Sequence, residues 1–311
     1  MLVDRSGDPA VSVVIPSYNS KSTIVQVLKA LTVQSTDLPY EIILVESSGD
    51  GTCEIVREQF PDVQVIESRE KLLPGGARNL GTQQARGGLL YFIDADCEAE
   101  PDWISKMWKT HEEWDCAAVA GAIMNANPSS LASVSSYMNE FSDFFAYGPA
   151  RYKDYLPSGN ISYKASIFRK YGGFDPDAPM YQDLMFNKLL SRSGEKLLFN
   201  PRIRVAHNHR TDLKVYLGHE VARGKGGAEC RRLGLIIGSS WVKHPPLAFL
   251  AAPGLFLRKA SVFPFRFARA YPTEIPRMLR ALPVFFLALI VWHYGFLSDV
   301  VANRPKSKSA E

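Results

Sequence analysis

Cysteine is scarce in this 311-residue chain: Cys53, Cys97, Cys116 and Cys230, with no C-x-x-C pair. That excludes a disulfide framework and a zinc-finger spacing, and fits reduced thiols. No apolar h-region marks residues 1–10, which carry Asp4, Arg5 and Asp8. A secretory signal of the usual kind is therefore not expected, and the expected place of the chain is the cytoplasm. No P-loop motif is present, and no G-x-G-x-x-G follows a strand-like run, so neither common phosphate fingerprint applies. There is no internal repeat, and low complexity is confined to the tail 304–311. What is present is an apolar fraction of 46% against 22% charged residues, the balance of a globular protein.

One stretch organises the rest. Leu89, Leu90, Tyr91, Phe92 and Ile93 form a short apolar run that ends abruptly in Asp94-Ala95-Asp96. A run so short and rich in branched and aromatic residues predicts a fully buried strand. Two carboxylates at its carboxyl end stand where open α/β sheets place ligands. Two hard oxygen donors at one point suit a divalent cation, and through it a diphosphate. A pair of solvated turn residues is the competing explanation.

Similar strand-type runs occupy residues 11–15, 40–45 and 63–66, separated by stretches with helical spacing such as Ile24, Val27, Leu28 and Leu31. That alternation predicts βαβ units and a mostly parallel sheet with helices on both faces. Further elements are expected at 102–114 (helix), 117–124 (strand), 157–163 (extended), 181–192 (helix) and 196–199 (strand). Residues 202–209 form a basic segment with two histidines. Between 125 and 155 no pattern is readable, and loops are expected.

Charge is unevenly spread. Residues 202–281 hold fifteen Lys/Arg against four acids, in a chain whose net charge is only +4. An anionic surface is the expected partner of this third. Two apolar runs, 245–257 and 282–297, favour lipid over nucleic acid. A span needs about 20 apolar residues, so the first is too short and the second borderline. The arginines between them would break the positive-inside rule in a spanning hairpin. In-plane or re-entrant segments are expected instead, with Phe263, Phe265, Phe267 and Tyr271 in the interface of anionic membrane lipids. The expected division is a catalytic domain over 1–210, a helical linker over 211–244, membrane-associating helices over 245–303 and a disordered basic tail over 304–311.

Several motifs, in this order and spacing, resemble the family 2 glycosyltransferases with the GT-A fold. They are Val11 to Asn19 with Pro16 and Tyr18, Glu41 to Thr52 with Glu46, Gly75-Gly76-Ala77-Arg78-Asn79-Leu80-Gly81, and Tyr91 to Asp96. Two more are Ser158 to Ser162, and Gly172 to Asp175 followed by Gln182-Asp183. The resemblance covers about residues 10–210 and implies nucleotide-sugar binding and inverting transfer to a glycan or lipid-linked acceptor at the cytoplasmic membrane face.

The resemblance also implies residue roles. Pro16 and Tyr18 would line the nucleoside pocket, and Glu46 would read the base, with a UDP-sugar favoured. The Gly75 loop lets a ligand approach the backbone, and Arg78 would pair with a phosphate or hold a carboxylate. Asp94 would touch ribose or metal, and Asp96 would hold a Mn²⁺ or Mg²⁺ on the diphosphate. His207 or His209 would complete the metal shell, with His207 the better match. Asp183 would be the general base, and Gly159, Asn160 and Gln182 would line the acceptor site. Two departures stand out: Glu46-Ser47-Ser48-Gly49 replaces an Asp-led turn, and Gln182 replaces an acid. They motivate a rival reading as a catalytically inactive nucleotide-sugar-binding protein. A nucleotidyltransferase would instead need a Gly-rich, basic loop after the first strand, where Pro16-Ser17-Tyr18-Asn19 stands.

Overall fold

The computed structural model describes residues 8–302, so the tail expectation at 304–311 lies outside the described residues. Two compact units divide the chain. The first takes Met1–Ile123 and Gly148–His207, and the second Met124–Tyr147 and Asn208–Glu311. This division differs from the sequence-based one at 124–147, which leaves the sheet region and joins the C-terminal residues.

The first unit opens with β1 (Val11–Ser17), α1 (Ile24–Thr32), β2 (Tyr40–Glu46), α2 (Thr52–Gln59), β3 (Gln64–Glu67), α3 (Pro74–Gln84) and β4 (Leu89–Ile93). It continues with β5 (Cys97–Ala99), α4 (Trp103–Glu113) and β6 (Ala118–Asn125). After the excursion, which carries α5 (Leu131–Phe141), come β7 (Arg151–Lys153), β8 (Asn160–Lys164), α6 (Ala165–Tyr171), α7 (Gln182–Arg192) and β9 (Leu197–His207).

The sheet runs β3-β2-β1-β4-β8-β6-β9-β5, with β7 also paired to β9. Strands β3, β2, β1 and β4 are mutually parallel. Beyond β4 the sheet is mixed: β8 runs antiparallel to β4 and β6, and β5 and β7 antiparallel to β9. The parallel expectation therefore describes only the N-terminal strands. The sequence of βαβ repeats stops at β4, and the later pairings are non-local.

Every residue of β4 is buried, as its unbroken apolar run requires. In α1, Ile24, Val27, Leu28 and Leu31 are the buried face, the helical spacing expected of an amphipathic helix. Pro74 starts α3, where its missing N–H costs nothing. A Cβ at Gly81 would lie 2.5 Å from Val14 Cγ1, so only glycine lets α3 lie flush on the sheet. Strand β9 unites what sequence reads as a short strand and a separate basic segment; Pro201 and the interleaved arginines hide its continuity.

The second unit contains α5, α8 (Leu213–Arg232), α9 (Ser239–Val242), α10 (Pro245–Ala270) and α11 (Ile275–Ala302), the last two joined by a 3-10 turn at Pro272–Glu274. Helix α5 occupies the stretch expected as loop, capped by Ser130 Oγ accepting from Ser133 N. Helix α8 runs unbroken through Gly224, Gly226 and Gly227. A Cβ at Gly224 would lie 2.1 Å from the Trp292 carbonyl oxygen, and one at Gly295 2.2 Å from that of Val221. The glycines therefore allow α8 and α11 to cross backbone to backbone.

The two apolar segments are longer than expected. Helix α10 has 26 residues and passes through Pro253 and Pro264, and α11 has 28. Both are long and apolar enough to cross a membrane. Large apolar side chains stand exposed on both: Leu250 is 79% exposed, Leu257 66% and Ile290 57%. The aromatic cluster expected at a lipid interface mostly faces inward instead. Phe267 is buried, and the Tyr271 hydroxyl bonds Tyr137 Oη at 2.7 Å. Of that group only Phe265 is exposed.

Candidate active site at the carboxyl edge of the sheet

The first unit brings Arg78, Asp94, Gly159 and Asp183 together. Arg78 rises from the first turns of α3, buried, and its Nη2 donates to Asp94 Oδ1 at 2.5 Å. The other Asp94 oxygen lies so near Gly159 that a Cβ there would stand 2.8 Å from it. One residue earlier, Ser158 N donates to Asp183 Oδ2 at 3.0 Å. Asp183 is in the first turn of α7. The Ser158-Gly159 segment thus joins two carboxylates carried by elements far apart in sequence.

Asp96 follows as the chain leaves β4. Antiparallel pairing of β5 and β9 sets His207 opposite Cys97. That register brings His207 Nε2 to 3.5 Å from Asp96 Oδ1. Asp96, Cys97 and His207 offer atoms that all lie within 4.8 Å of one another. A carboxylate and an imidazole at this separation fit two adjacent positions around a divalent ion that keeps room for other oxygen ligands. The Cys97 thiol is held well above its ordinary value by burial and by the neighbouring Asp96 and Asp94, which keeps it protonated. Asp94 faces Arg78 rather than this group.

His209 belongs elsewhere. It is 2% exposed in the second unit, its ring against Tyr137 and Phe141 and its backbone bonded to Asn127. Of the two histidines open in the sequence, only His207 neighbours Asp96.

The end of β2 differs from expectation. Glu46 is 1% exposed. Its Oε1 accepts from Ser47 N, Ser48 N and Ser48 Oγ, and its Oε2 from Ser17 Oγ. The longer side chain folds back into its own turn, where the carboxylate braces β1 and β2. Tyr18, by contrast, is 44% exposed, with Lys71 Nζ 4.3 Å from its ring centroid. Pro16 is half-buried beside it.

Two further expectations change. Asn160 is fully buried. Its Oδ1 accepts from Trp103 Nε1 at 2.8 Å and its Nδ2 donates to Ala122 O at 2.9 Å. It crosslinks the core and does not line an acceptor site. Gln182 is also buried, packed on Gly75. A Cβ at Gly75 would lie 2.4 Å from the Asp175 carbonyl oxygen, so that glycine serves a close approach of the 172–176 turn. Sequence reasoning passed over Lys71 and the Ser158 amide. Neither belongs to a quoted motif role, although Ser158 stands at the head of one.

A sequence model described as Glycosyl transferase family 2 matches residues 12–172. Glycosyltransferase AglE of Haloferax volcanii is 26% identical over 196 residues, 61% of this chain and 64% of that protein. Longer coverage comes from Methanococcus voltae, in the dolichyl N-acetyl-alpha-D-glucosaminyl phosphate 3-beta-D-2,3-diacetamido-2,3-dideoxy-beta-D-glucuronosyltransferase, 25% identical over 96% of this chain and 88% of that protein. The chain spans less than two thirds of several curated relatives: 64%, 29% and 47% of their lengths. Among solved structures, the mannosyltransferase PcManGT from Pyrobaculum calidifontis, in complex with GDP-Man and Mn²⁺, superposes with a TM-score of 0.58. It is 20% identical, over 96% of this chain and 86% of that one. The likeness establishes the GT-A-type fold.

Proposed function

The chain belongs to glycosyl transferase family 2, and from that premise we propose that it transfers a sugar, with inversion, from a nucleotide-sugar donor to a lipid-linked or polysaccharide acceptor at a membrane surface. The observation that carries this reading is the meeting of Asp96 and His207, 3.5 Å apart, next to the Asp94–Arg78 pair. Asp96 and His207 would hold a Mn²⁺ or Mg²⁺. Such an ion, when bound, supplies Lewis-acid neutralisation of the departing diphosphate. Arg78 fixes the Asp94 carboxylate, leaving its outer edge to the donor. Tyr18 offers its open ring face to the nucleobase, a UDP-sugar being favoured, with Pro16 alongside. Glu46 acts through Ser17 and Ser48, shaping the turn rather than reading the base.

Asp183 receives the proton of the acceptor hydroxyl as general base. Its two oxygens already accept from Leu184 N and Ser158 N, which orient the carboxylate. Attack on the face opposite the leaving group gives inversion. The apolar outer faces of α10 and α11 hold the enzyme at the cytoplasmic leaflet, a reading supported by their exposed leucines and isoleucine. The test is donor turnover by the purified full chain with Mn²⁺ or Mg²⁺ across nucleotide sugars. Unchanged turnover in both Asp96→Ala and Asp183→Asn would sink the mechanism.

A further inference from the structure

Three parallel strands end side by side at the carboxyl edge of the first unit. Ser17 is in register with Glu46, and Glu46 with Glu67. Ser68 N then donates to Glu46 O at 2.8 Å, which ties the start of the 68–73 loop to the end of β2. Tyr18 follows β1 and Lys71 follows β3, so both come off this one edge. Lys71 Nζ reaches 4.3 Å from the centroid of the Tyr18 ring. Both side chains are open to solvent, Tyr18 to 44%.

The acids nearby are committed to other partners. Glu46 accepts from Ser17, Ser47 and Ser48. Asp50 accepts from Lys21 N, Thr52 N and Thr52 Oγ1. Glu67, at the end of β3, pairs with Arg57. Among the described residues no carboxylate forms an ion pair with Lys71. Its ammonium is a donor-only group on a flexible stem, set over an exposed aromatic face. A cation–π contact at an exposed site is weaker than a charge-assisted hydrogen bond. A ligand that stacks on Tyr18 and carries an acceptor oxygen at its edge would therefore draw the ammonium off the ring and onto that oxygen.

We propose that Lys71 sets the base preference of the donor site by donating to a carbonyl oxygen at the edge of a nucleobase stacked on Tyr18. This deepens the reading above and rests on its placing of the base at Tyr18. Uracil and guanine carry such an oxygen. Adenine carries an exocyclic amino group in its place, which sets donor against donor. Guanine and adenine match in size, so the difference between them isolates the oxygen.

The full chain is titrated calorimetrically with UDP, GDP and ADP in the presence of Mn²⁺. Wild type is expected to bind UDP, or GDP, at least about tenfold more tightly than ADP, the scale of one charge-assisted hydrogen bond. Lys71→Met should weaken the preferred nucleotide about tenfold and leave ADP nearly unchanged, so that the preference collapses. Lys71→Arg, which keeps a cationic donor, should restore part of it. Lys71 is exposed, so each variant should melt with wild type. Equal weakening of UDP and ADP in Lys71→Met would mark a phosphate contact and overturn the proposal. So would an undiminished preference in that variant. A wild type that binds none of the three nucleotides fails the donor reading itself, and this inference with it; binding with an unaltered preference fails the role of Lys71 alone.

Discussion

The two units treat polarity in opposite ways. The first buries an apolar sheet and gathers its carboxylates, Asp94, Asp96 and Asp183, at one rim, partly open to solvent. The second turns leucine, isoleucine and phenylalanine outward on α10 and α11 and draws Glu140, Glu220 and Arg223 inward. An exposed apolar face of this extent marks a surface built to meet something other than water. The first unit gathers its charge at an open rim, and the second keeps charge inward and apolar side chains outward.

The contrast can be broken at four points. The largest effect belongs to the rim. Asp183→Asn should lower turnover by about 10²–10⁴, the range for a lost general base, while donor binding by calorimetry stays near wild type. Next is the crossing of α8 and α11. Gly224→Val places atoms where the Trp292 carbonyl oxygen stands. It should destabilise the second unit by about 1–3 kcal/mol or more, seen as an earlier thermal transition. Donor binding, which the proposed function assigns to the first unit, should survive. A third change tests the outer face: Leu250→Asp with Ile290→Asp should weaken vesicle retention about tenfold or more, because two apolar side chains lose their burial. Activity on a soluble acceptor should hold. If it falls in step with retention, the separation of roles is wrong.

The smallest effect concerns His111, buried in the first unit. Its Nε2 lies 2.7 Å from Ser162 Oγ. Burial, with Lys164 nearby, lowers its pKa from 6.5 to about 3. The folded state thus resists a proton that the unfolded chain accepts below pH 6.5. Stability from this group is present above that pH and falls away as pH drops toward 3. His111→Phe should flatten the acid limb of stability measured by denaturant titration at stepped pH. An unchanged slope would show that another group sets it.

What could be read from residues alone follows physical range. Asp94 and Asp96 stood out because an apolar run ends on them, a local signal. His207 could be preferred to His209 only by resemblance, since the contact itself depends on which strand pairs with Cys97. The acceptor role that the resemblance implied for Asn160 could not be checked locally, because its partners Trp103 and Ala122 lie far along the chain. Glu46 misled for a related reason: one extra methylene lets a carboxylate bend into its own turn. In α8 the role of Gly224 and Gly227 is not legible locally, because their packing partner is α11, more than sixty residues later. The β5 and β7 strands, three residues each, carry too little pattern to be seen without β9.

The detour through residues 124–147 has a consequence for synthesis. Strand β8 enters between β4 and β6 only after α5 has been made. Helix α5 then carries Val134, Tyr137 and Met138, whose covering residues Phe267, Met278 and Phe285 come much later. On the ribosome the sheet can close as β9 emerges, while α5 waits with its apolar side uncovered. Nascent chains in that state are prone to aggregation. Early contact with a chaperone or with the membrane itself would shelter the helix until the C-terminal residues arrive.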